Sequence, residues 1–180
     1  MTNPPEIAYS GWHPRALKIA SPNFDERPTG TPVELIVIHA ISLPPGHFGG
    51  GAVAQLFTNS LDFNAHPYFA EIQALRVSAH FFIQRGGQLV QFVSCNDRAW
   101  HAGVSCWKAR ERCNDFSIGI ELEGDDDSNF EDAQYQTLND LIADLRGAFP
   151  IVDVVGHCDI APGRKTDPGP CFDWQRVERD

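Results

Sequence analysis

The pattern of hydrophobic and polar residues predicts five β-strands in this chain. The stretch "ELIVIHAIS", residues 34–42, is apolar on both alternating faces, which is typical of a strand buried inside a sheet. "AHFFIQRGGQLVQFV" predicts two strands joined at Gly86 and Gly87, because paired glycines between apolar runs favour a hairpin. "SIGIELEG", which ends at Gly124, and "VDVVGH", which ends at His157, predict the remaining two strands.

A helical repeat follows the acidic run at residues 125–127. Apolar side chains recur there with i, i+3, i+4, i+7 and i+11 spacing, at Leu138, Leu141, Ile142, Leu145 and Phe149. Ser128 and Glu131 have the spacing of a capping box, and Pro150 cannot continue a helix. We therefore predict a helix between Ser128 and Pro150, and a shorter one in "AVAQLFTN".

These elements indicate one α/β domain over residues 1–180, built on a mixed β-sheet. A chain of 180 residues is long enough for one buried core, and a second full domain is not expected. The first 30 residues are rich in proline and are expected to form an irregular segment that wraps the surface.

The net charge of the chain limits the classes of partner that it is expected to bind. With 14 basic and 24 acidic residues the formal net charge is −10, whereas binding to a phosphate backbone needs a basic surface, so nucleic acid is not an expected partner. Neither a signal peptide nor a membrane-spanning segment is recognisable. The five cysteines are odd in number and lack CxxC spacing, which favours reduced thiols in a soluble cytoplasmic protein.

Two of the seven histidines stand where a functional site is most often found. His39 and His157 each close an apolar strand, and strand ends beside loops are common site positions in α/β proteins. Asp167 follows in the proline- and glycine-rich loop "GHCDIAPGRKTDPGP". Two imidazoles and one carboxylate suit Zn²⁺ and leave a fourth position for water. Cys158 is an alternative ligand, although in an extended chain it would point away from the face that His157 uses.

Other polar residues leave two interpretations open. Glu121 and Glu123 share one face of their strand, where they are either solvated or desolvated enough for one to act as a general base; the residues alone favour the solvated interpretation. Lys165 is either a surface cation or a group that stabilises an oxyanion. Covalent catalysis and nucleotide binding lack support, because GxSxG, GxGxxG and GK[ST] motifs are absent.

Six long motifs resemble a known family. They are "VIHAISLPPGHFGGG", "NAHPYF", "LRVSAHFFI", "RAWHAGVS", "RERCNDFSIGIELEG" and "GHCDIAPGRKTDPGPCFDW". They are similar to the AmpD family of cytoplasmic 1,6-anhydro-N-acetylmuramyl-L-alanine amidases, part of a wider zinc amidase group that includes peptidoglycan recognition proteins. The resemblance extends from about Trp12 to Trp174, nearly the whole chain.

The resemblance implies both a fold and a set of roles. It implies a mixed β-sheet flanked by helices, with a single Zn²⁺ in a cleft held by His39, His157 and Asp167. It assigns catalysis to Glu121, rather than Glu123, with Lys165 as its partner. The implied reaction is hydrolysis of the amide between anhydro-N-acetylmuramic acid and L-Ala of a stem peptide. In the cell this reaction would serve peptidoglycan recycling and indirectly limit β-lactamase induction.

Four residues of the motifs are expected to line a substrate cleft: Arg76, Trp100, His101 and Arg112. An arginine could pair with a stem-peptide carboxylate, and Trp100 could stack on a sugar ring. The alternative is a core tryptophan and surface arginines. Ala40 departs from the family pattern, which commonly has Asn at this position, and therefore lacks a side chain able to hydrogen-bond substrate.

Two classes of function remain in competition. Peptidoglycan recognition proteins of similar fold can bind without a zinc site, so a binding module is the alternative to an enzyme. Because His39, His157, Asp167, Glu121 and Lys165 are all present, the enzyme is favoured. We expect a monomer that acts on small muropeptides and binds neither nucleic acid nor membrane.

Overall fold

Six strands pair side by side in the main sheet of the computed structural model, which describes Ile7 and residues 10–179. In spatial order they are β1 (Leu17–Lys18), β5 (Leu89–Gln91), β4 (Phe81–Ile83), β9 (Ser117–Glu123), β3 (Leu35–Ile41) and β10 (Asp153–Gly156). Only the β4–β5 pair is antiparallel, and the other four pairings in this sheet are parallel. The sheet is therefore mixed, and the predicted single α/β domain is confirmed.

Shorter elements surround this sheet. They are the antiparallel pairs β2 (Phe24–Glu26) with β6 (Asp97–Ala99) and β7 (Cys106–Trp107) with β8 (Arg110–Glu111), the α-helices α1 (Ala52–Phe57), α2 (Pro67–Glu71), α3 (Asp132–Ala148) and α4 (His157–Ile160), and 3₁₀ turns at Cys113–Asp115 and Trp174–Arg176. All the strands and the short helix predicted from the sequence are present. Within the part of the chain that the structure describes, no helix is long and apolar enough to cross a membrane.

Helix α3 covers one face of the sheet. Its buried side chains Leu138 and Leu145 pack in one cluster with Ile36 of β3 and Ile120 of β9. The opposite face carries a second apolar cluster in which α1 and α2 pack against β4 and β5. The carboxyl ends of β3 and β9 open between this second cluster and the loop that follows β10.

The predicted start of α3 is wrong by one turn. Glu131 is its N-cap, and the capping box pairs Glu131 with Gln134 rather than Ser128 with Glu131. The physical reason lies in the acidic run, where the Asp125 carboxylate accepts the backbone N–H groups of Asp127 and Ser128. Because Ser128 belongs to this turn, it is not the N-cap, and the helix begins after Glu131.

The expectation of an irregular N-terminal segment needs correction where the segment is described. Residues 1–6, 8 and 9 lie outside the described part. Farther along, β1 pairs with β5 and β2 pairs with β6, because the open edges of those strands offer unpaired backbone groups. His13 is buried, with its Nε2 atom 2.9 Å from the Asp144 carboxylate, so this segment also enters the interior.

Candidate active site

Strand register brings three distant residues to one place. His39 of β3 pairs directly with Glu121 of β9. Gly156 of β10 pairs with Ile38 on the other side of β3, so His157, the next residue, lies beside His39. The loop after α4 returns Asp167 to the same position, where its carbonyl accepts the backbone N–H of Cys158 at 2.9 Å.

His39, His157 and Asp167 form a group that could hold a metal ion. The two Nδ1 atoms are 2.9 Å apart, and Asp167 Oδ2 is 3.1 Å from His39 Nδ1 and 3.0 Å from His157 Nδ1. Ligand bonds of about 2.0–2.1 Å around a tetrahedral zinc place neighbouring donor atoms about 3.3 Å apart, close to these separations. Two nitrogens and one carboxylate oxygen are also donors that zinc accepts, so these residues fit the ion.

The protonation states of this group suit metal binding. Burial lowers the pKa of His39 to about 4, so its imidazole is neutral at physiological pH. Burial alone would raise the pKa of Asp167, but its interactions with His157 and His39 hold that pKa below its ordinary value. Metal ions bind neutral imidazole and ionised carboxylate. At neutral pH, His39 and Asp167 are therefore already in the protonation states that bind a metal ion.

Cys158 does not join this group, although the reason differs from the predicted one. The chain is not extended at His157, because α4 begins there. Cys158 is partly buried one residue further along this turn. All five cysteines are free thiols.

Glu121 is a desolvated carboxyl group beside the candidate metal site. Its Oε2 atom is buried and has no hydrogen-bond partner among the described residues. Burial and the negative charge of Asp167 raise its pKa well above the ordinary value, against the opposing charge of Lys165. A carboxyl group with a raised pKa in a cleft is suited to accept and return a proton near neutral pH.

Glu123, on the same face of β9, has a different environment. One carboxylate oxygen accepts the backbone N–H of Gly49 at 2.5 Å, and the other accepts that of Arg85 at 3.0 Å. It is 4% exposed and joins the loop before α1 to the β4–β5 hairpin. The solvated interpretation is therefore wrong for both glutamates, because Glu123 is buried and bonded while Glu121 is buried at Oε2 and unbonded.

A cleft of about 600 Å³ opens over these residues. Lys165, Trp100 and His101 line it, as does Ala40, the position that departs from the family pattern. One wall is apolar and includes Leu43, Leu56, Phe57, Tyr68, Ile72 and Leu75. The Trp100 indole N–H donates to the Asp25 carboxylate at 3.1 Å, which fixes the ring at the edge of the cleft.

Arg76 and Arg112 are not brought to the cleft. The Arg76 guanidinium donates to the backbone carbonyls of Gln73 and Leu75, and Arg112 is exposed and pairs with Asp115. Both side chains lie on the surface, which agrees with the alternative interpretation of surface arginines.

Sequence reasoning missed the contacts behind the two histidines, because it did not name Ala102 and expected His101 to contact substrate. The backbone carbonyl of Ala102 lies 3.0 Å from His157 Nε2 and accepts a second hydrogen bond, of 2.8 Å, from Arg164. His101 Nδ1 lies 2.9 Å from His39 Nε2. Neither contact leaves a sequence signal, because one is to a main-chain carbonyl and the other joins residues 62 positions apart.

A pair of imidazoles and a carboxylate beside a desolvated glutamic acid is chemically suited to metal-assisted hydrolysis. The model of the N-acetylmuramoyl-L-alanine amidase family matches residues 29–170. The chain belongs to this family.

Relatives within the family are similar over nearly the whole chain. The 1,6-anhydro-N-acetylmuramyl-L-alanine amidase AmpD of Escherichia coli (strain K12) is 55% identical over 168 residues, or 92% of each chain. A crystal structure of a selenomethionine derivative of AmpD superposes with a TM-score of 0.89 at 55% identity, covering 93% of this chain and 94% of that one.

A more distant neighbour was solved with a ligand. It is the N-acetylmuramyl-L-alanine amidase AmiD from E. coli, in complex with the substrate anhydro-N-acetylmuramic acid-L-Ala-D-gamma-Glu-L-Lys. It is 30% identical, with a TM-score of 0.59, and the match covers 86% of this chain and 64% of that one.

Proposed function

We propose that this protein is a zinc-dependent amidase that cleaves the amide between 1,6-anhydro-N-acetylmuramic acid and L-Ala of a muropeptide. The observation that carries the proposal is the position of Glu121, which pairs in register with His39 and whose buried Oε2 atom has no hydrogen-bond partner among the described residues. Family membership and 55% identity to enzymes named for this activity support the same substrate class.

One Zn²⁺ per chain would be held by His39, His157 and Asp167. Zinc bound there would lower the pKa of a water molecule and polarise the scissile carbonyl. The protein's contribution would be to hold the two imidazoles and the carboxylate together at the cleft.

Glu121 would move the proton. Because its pKa is raised by burial and by Asp167, the carboxylate can take a proton from the attacking water and return it to the nitrogen of L-Ala as the amide breaks. Well-placed acid–base catalysis of this kind contributes about 10²- to 10⁴-fold, or about 3–5.5 kcal/mol of barrier.

Lys165 would stabilise the negative charge that develops on the carbonyl oxygen. Its ammonium group lines the cleft close enough to lower the pKa of both His39 and Glu121. Cations aimed at a developing oxyanion stabilise the transition state more than the ground state.

The two walls of the cleft match the two parts of the substrate. The apolar wall and the Trp100 ring offer a surface for a sugar, and aromatic rings provide flat faces for such contacts. An anhydro sugar lacks a free reducing-end hydroxyl and suits an apolar wall better than an open sugar does. The stem peptide would then contact polar residues of the lining, which include Lys165 and Thr166.

The cellular setting follows from the proposed substrate. Anhydro-muropeptides are products of wall turnover, so their hydrolysis in the cytoplasm would serve peptidoglycan recycling and limit the signal for β-lactamase induction. The protein would act in this role as a monomer.

Metal removal and replacement test this function. The wild-type protein should cleave an anhydro-muramyl peptide at the lactyl amide, lose this activity in excess chelator and regain it with one equivalent of zinc, as followed by mass spectrometry. Asp167→Ala should bind zinc too weakly to be restored. Cleavage that survives the chelator would contradict the zinc mechanism, and tight peptide binding without cleavage would favour a binding module.

A further inference from the structure

The two histidines of the candidate metal site contact two consecutive residues, His101 and Ala102. His39 Nε2 lies 2.9 Å from His101 Nδ1, and His157 Nε2 lies 3.0 Å from the carbonyl oxygen of Ala102. Ala102 is fully buried. A single short segment therefore contacts the ring nitrogen of each imidazole that faces away from Asp167.

The hydrogen-bond chain behind His39 has one consistent direction for neutral rings. The Cys113 carbonyl can only accept, so the Ser117 hydroxyl donates to it at 2.6 Å. The Ser117 oxygen, 3.2 Å from His101 Nε2, then accepts from that nitrogen. His101 Nδ1 keeps its lone pair and accepts from His39 Nε2. This leaves the lone pair of His39 on Nδ1, which is the atom that faces the other two candidate ligands.

Two other residues hold the segment in place. The Asn114 side-chain oxygen accepts the backbone N–H of His101 at 3.2 Å and that of Ala102 at 2.8 Å. Gly119 of β9 leaves room for the imidazole, since a Cβ atom there would lie 2.4 Å from His101 Cγ. The position of the His101 ring is thus set by the hydrogen bonds of its backbone to Asn114 and by its packing on Gly119 of β9.

We propose that His101 is a positioning residue that fixes the tautomer and orientation of His39 for zinc, and that Asn114 holds His101 and Ala102 in place for this purpose. The proposal rests on the proposed zinc site. It replaces the expected contact of His101 with substrate, because both ring nitrogens of His101 already have protein partners. Such outer partners orient metal-binding imidazoles and increase their basicity.

Two substitutions separate this hydrogen bond from ring packing. His101→Phe keeps a ring but removes the acceptor, whereas His101→Asn loses the ring but places an amide oxygen on Cγ, where Nδ1 is attached. Zinc affinity would be measured by competition with a chelator. The control is His47→Phe, at an exposed position, and this variant should bind zinc like the wild type. The expected result is about 10- to 100-fold weaker zinc binding in His101→Phe, with His101→Asn closer to wild type.

The opposite pattern would overturn the proposal. Wild-type affinity in His101→Phe, or weaker binding in His101→Asn than in His101→Phe, would mean that the site needs the ring's volume and not its acceptor.

A second measurement uses zinc-free protein and no substrate. Nitrogen-15 NMR of the imidazoles should find His39 and His101 both protonated on Nε2 in the wild type, and His39 no longer restricted to that tautomer in His101→Phe. A wild-type His39 protonated on Nδ1 would overturn the proposal. If the wild type binds no zinc, the proposed function fails, while the tautomer measurement still decides how His101 acts on His39.

Discussion

Strands β3 and β9 are paired in one sheet, and the two faces of that pair have very different surroundings. On one face Ile36, Ile38 and Ile120 are fully buried against helix α3. On the other face the alternating positions include His39, Gly119 and Glu121. A single sheet therefore supplies packing energy on one side and reactive groups on the other.

The buried polar groups on the second face lower the stability of the fold, although apolar side chains also pack on that face. Glu121 has a buried oxygen without a partner in the part of the chain that the structure describes, and such a group costs about 1–3 kcal/mol of stability. His39 is almost completely buried and must remain neutral. The apolar face offsets these costs because its side chains contribute about 1.5–3 kcal/mol each when fully buried.

The largest expected effect is on the polar face, in Glu121→Gln. The amide keeps the shape of the side chain but cannot take up a proton, so turnover should fall about 10²- to 10⁴-fold, while zinc affinity stays close to that of the wild type. Steady-state kinetics on an anhydro-muramyl peptide, together with metal analysis, measure both quantities. Wild-type turnover in this variant would remove Glu121 from the mechanism.

Glu123→Gln is the matched control, because it makes the same change two residues along the same face. The amide NH₂ would meet one of the two backbone N–H groups that the carboxylate now accepts, so the free energy of unfolding should fall by about 1–3 kcal/mol. Turnover per folded molecule should change little. If both variants lost turnover equally, the contrast between the two glutamates would be wrong.

The next effect is on the apolar face, in Leu138→Ala. This side chain is fully buried between α3 and the sheet, and its truncation should lower the free energy of unfolding by about 2–5 kcal/mol. Urea denaturation measures the loss. Zinc affinity and turnover of the folded fraction at low temperature should stay near wild-type values, and a large loss of either would show that the two faces are coupled.

The smallest expected effect is a dependence of stability on pH in zinc-free protein. The pKa of Glu121 is raised from its ordinary 4.5 by burial, so the folded state holds this proton more tightly than the unfolded state. Its contribution to stability therefore falls as the pH rises from about 4.5 through the folded pKa. Glu121→Gln removes the effect, and its stability relative to wild type should increase between pH 4 and pH 7 in urea titrations. A constant difference would argue against desolvation of Glu121.

Local patterns were sufficient for most of the elements. A run that is apolar on both faces predicts β3, alternating apolar positions predict β9, paired glycines predict the β4–β5 hairpin, and the repeat from Leu138 to Leu145 predicts α3. Each of these patterns depends on neighbouring residues in the chain. The candidate ligands were also visible, because His39 and His157 follow apolar runs and Asp167 lies in a proline- and glycine-rich loop, although β3 continues to Ile41 and His157 begins α4. Motif resemblance added the roles of Glu121 and Lys165, which periodicity could not assign.

Tertiary structure alone decided the environments of these residues. A period of two places Glu121 and Glu123 on one face, but only the Gly49 loop and the hairpin determine that Glu123 is bonded and Glu121 is not. The partnership of His101 with His39, and the surface positions of Arg76 and Arg112, likewise depend on contacts between distant segments. The sequence by itself determined which residues face the same way, because that is a property of the local backbone. Desolvation and hydrogen bonding depend on what the rest of the chain brings to them.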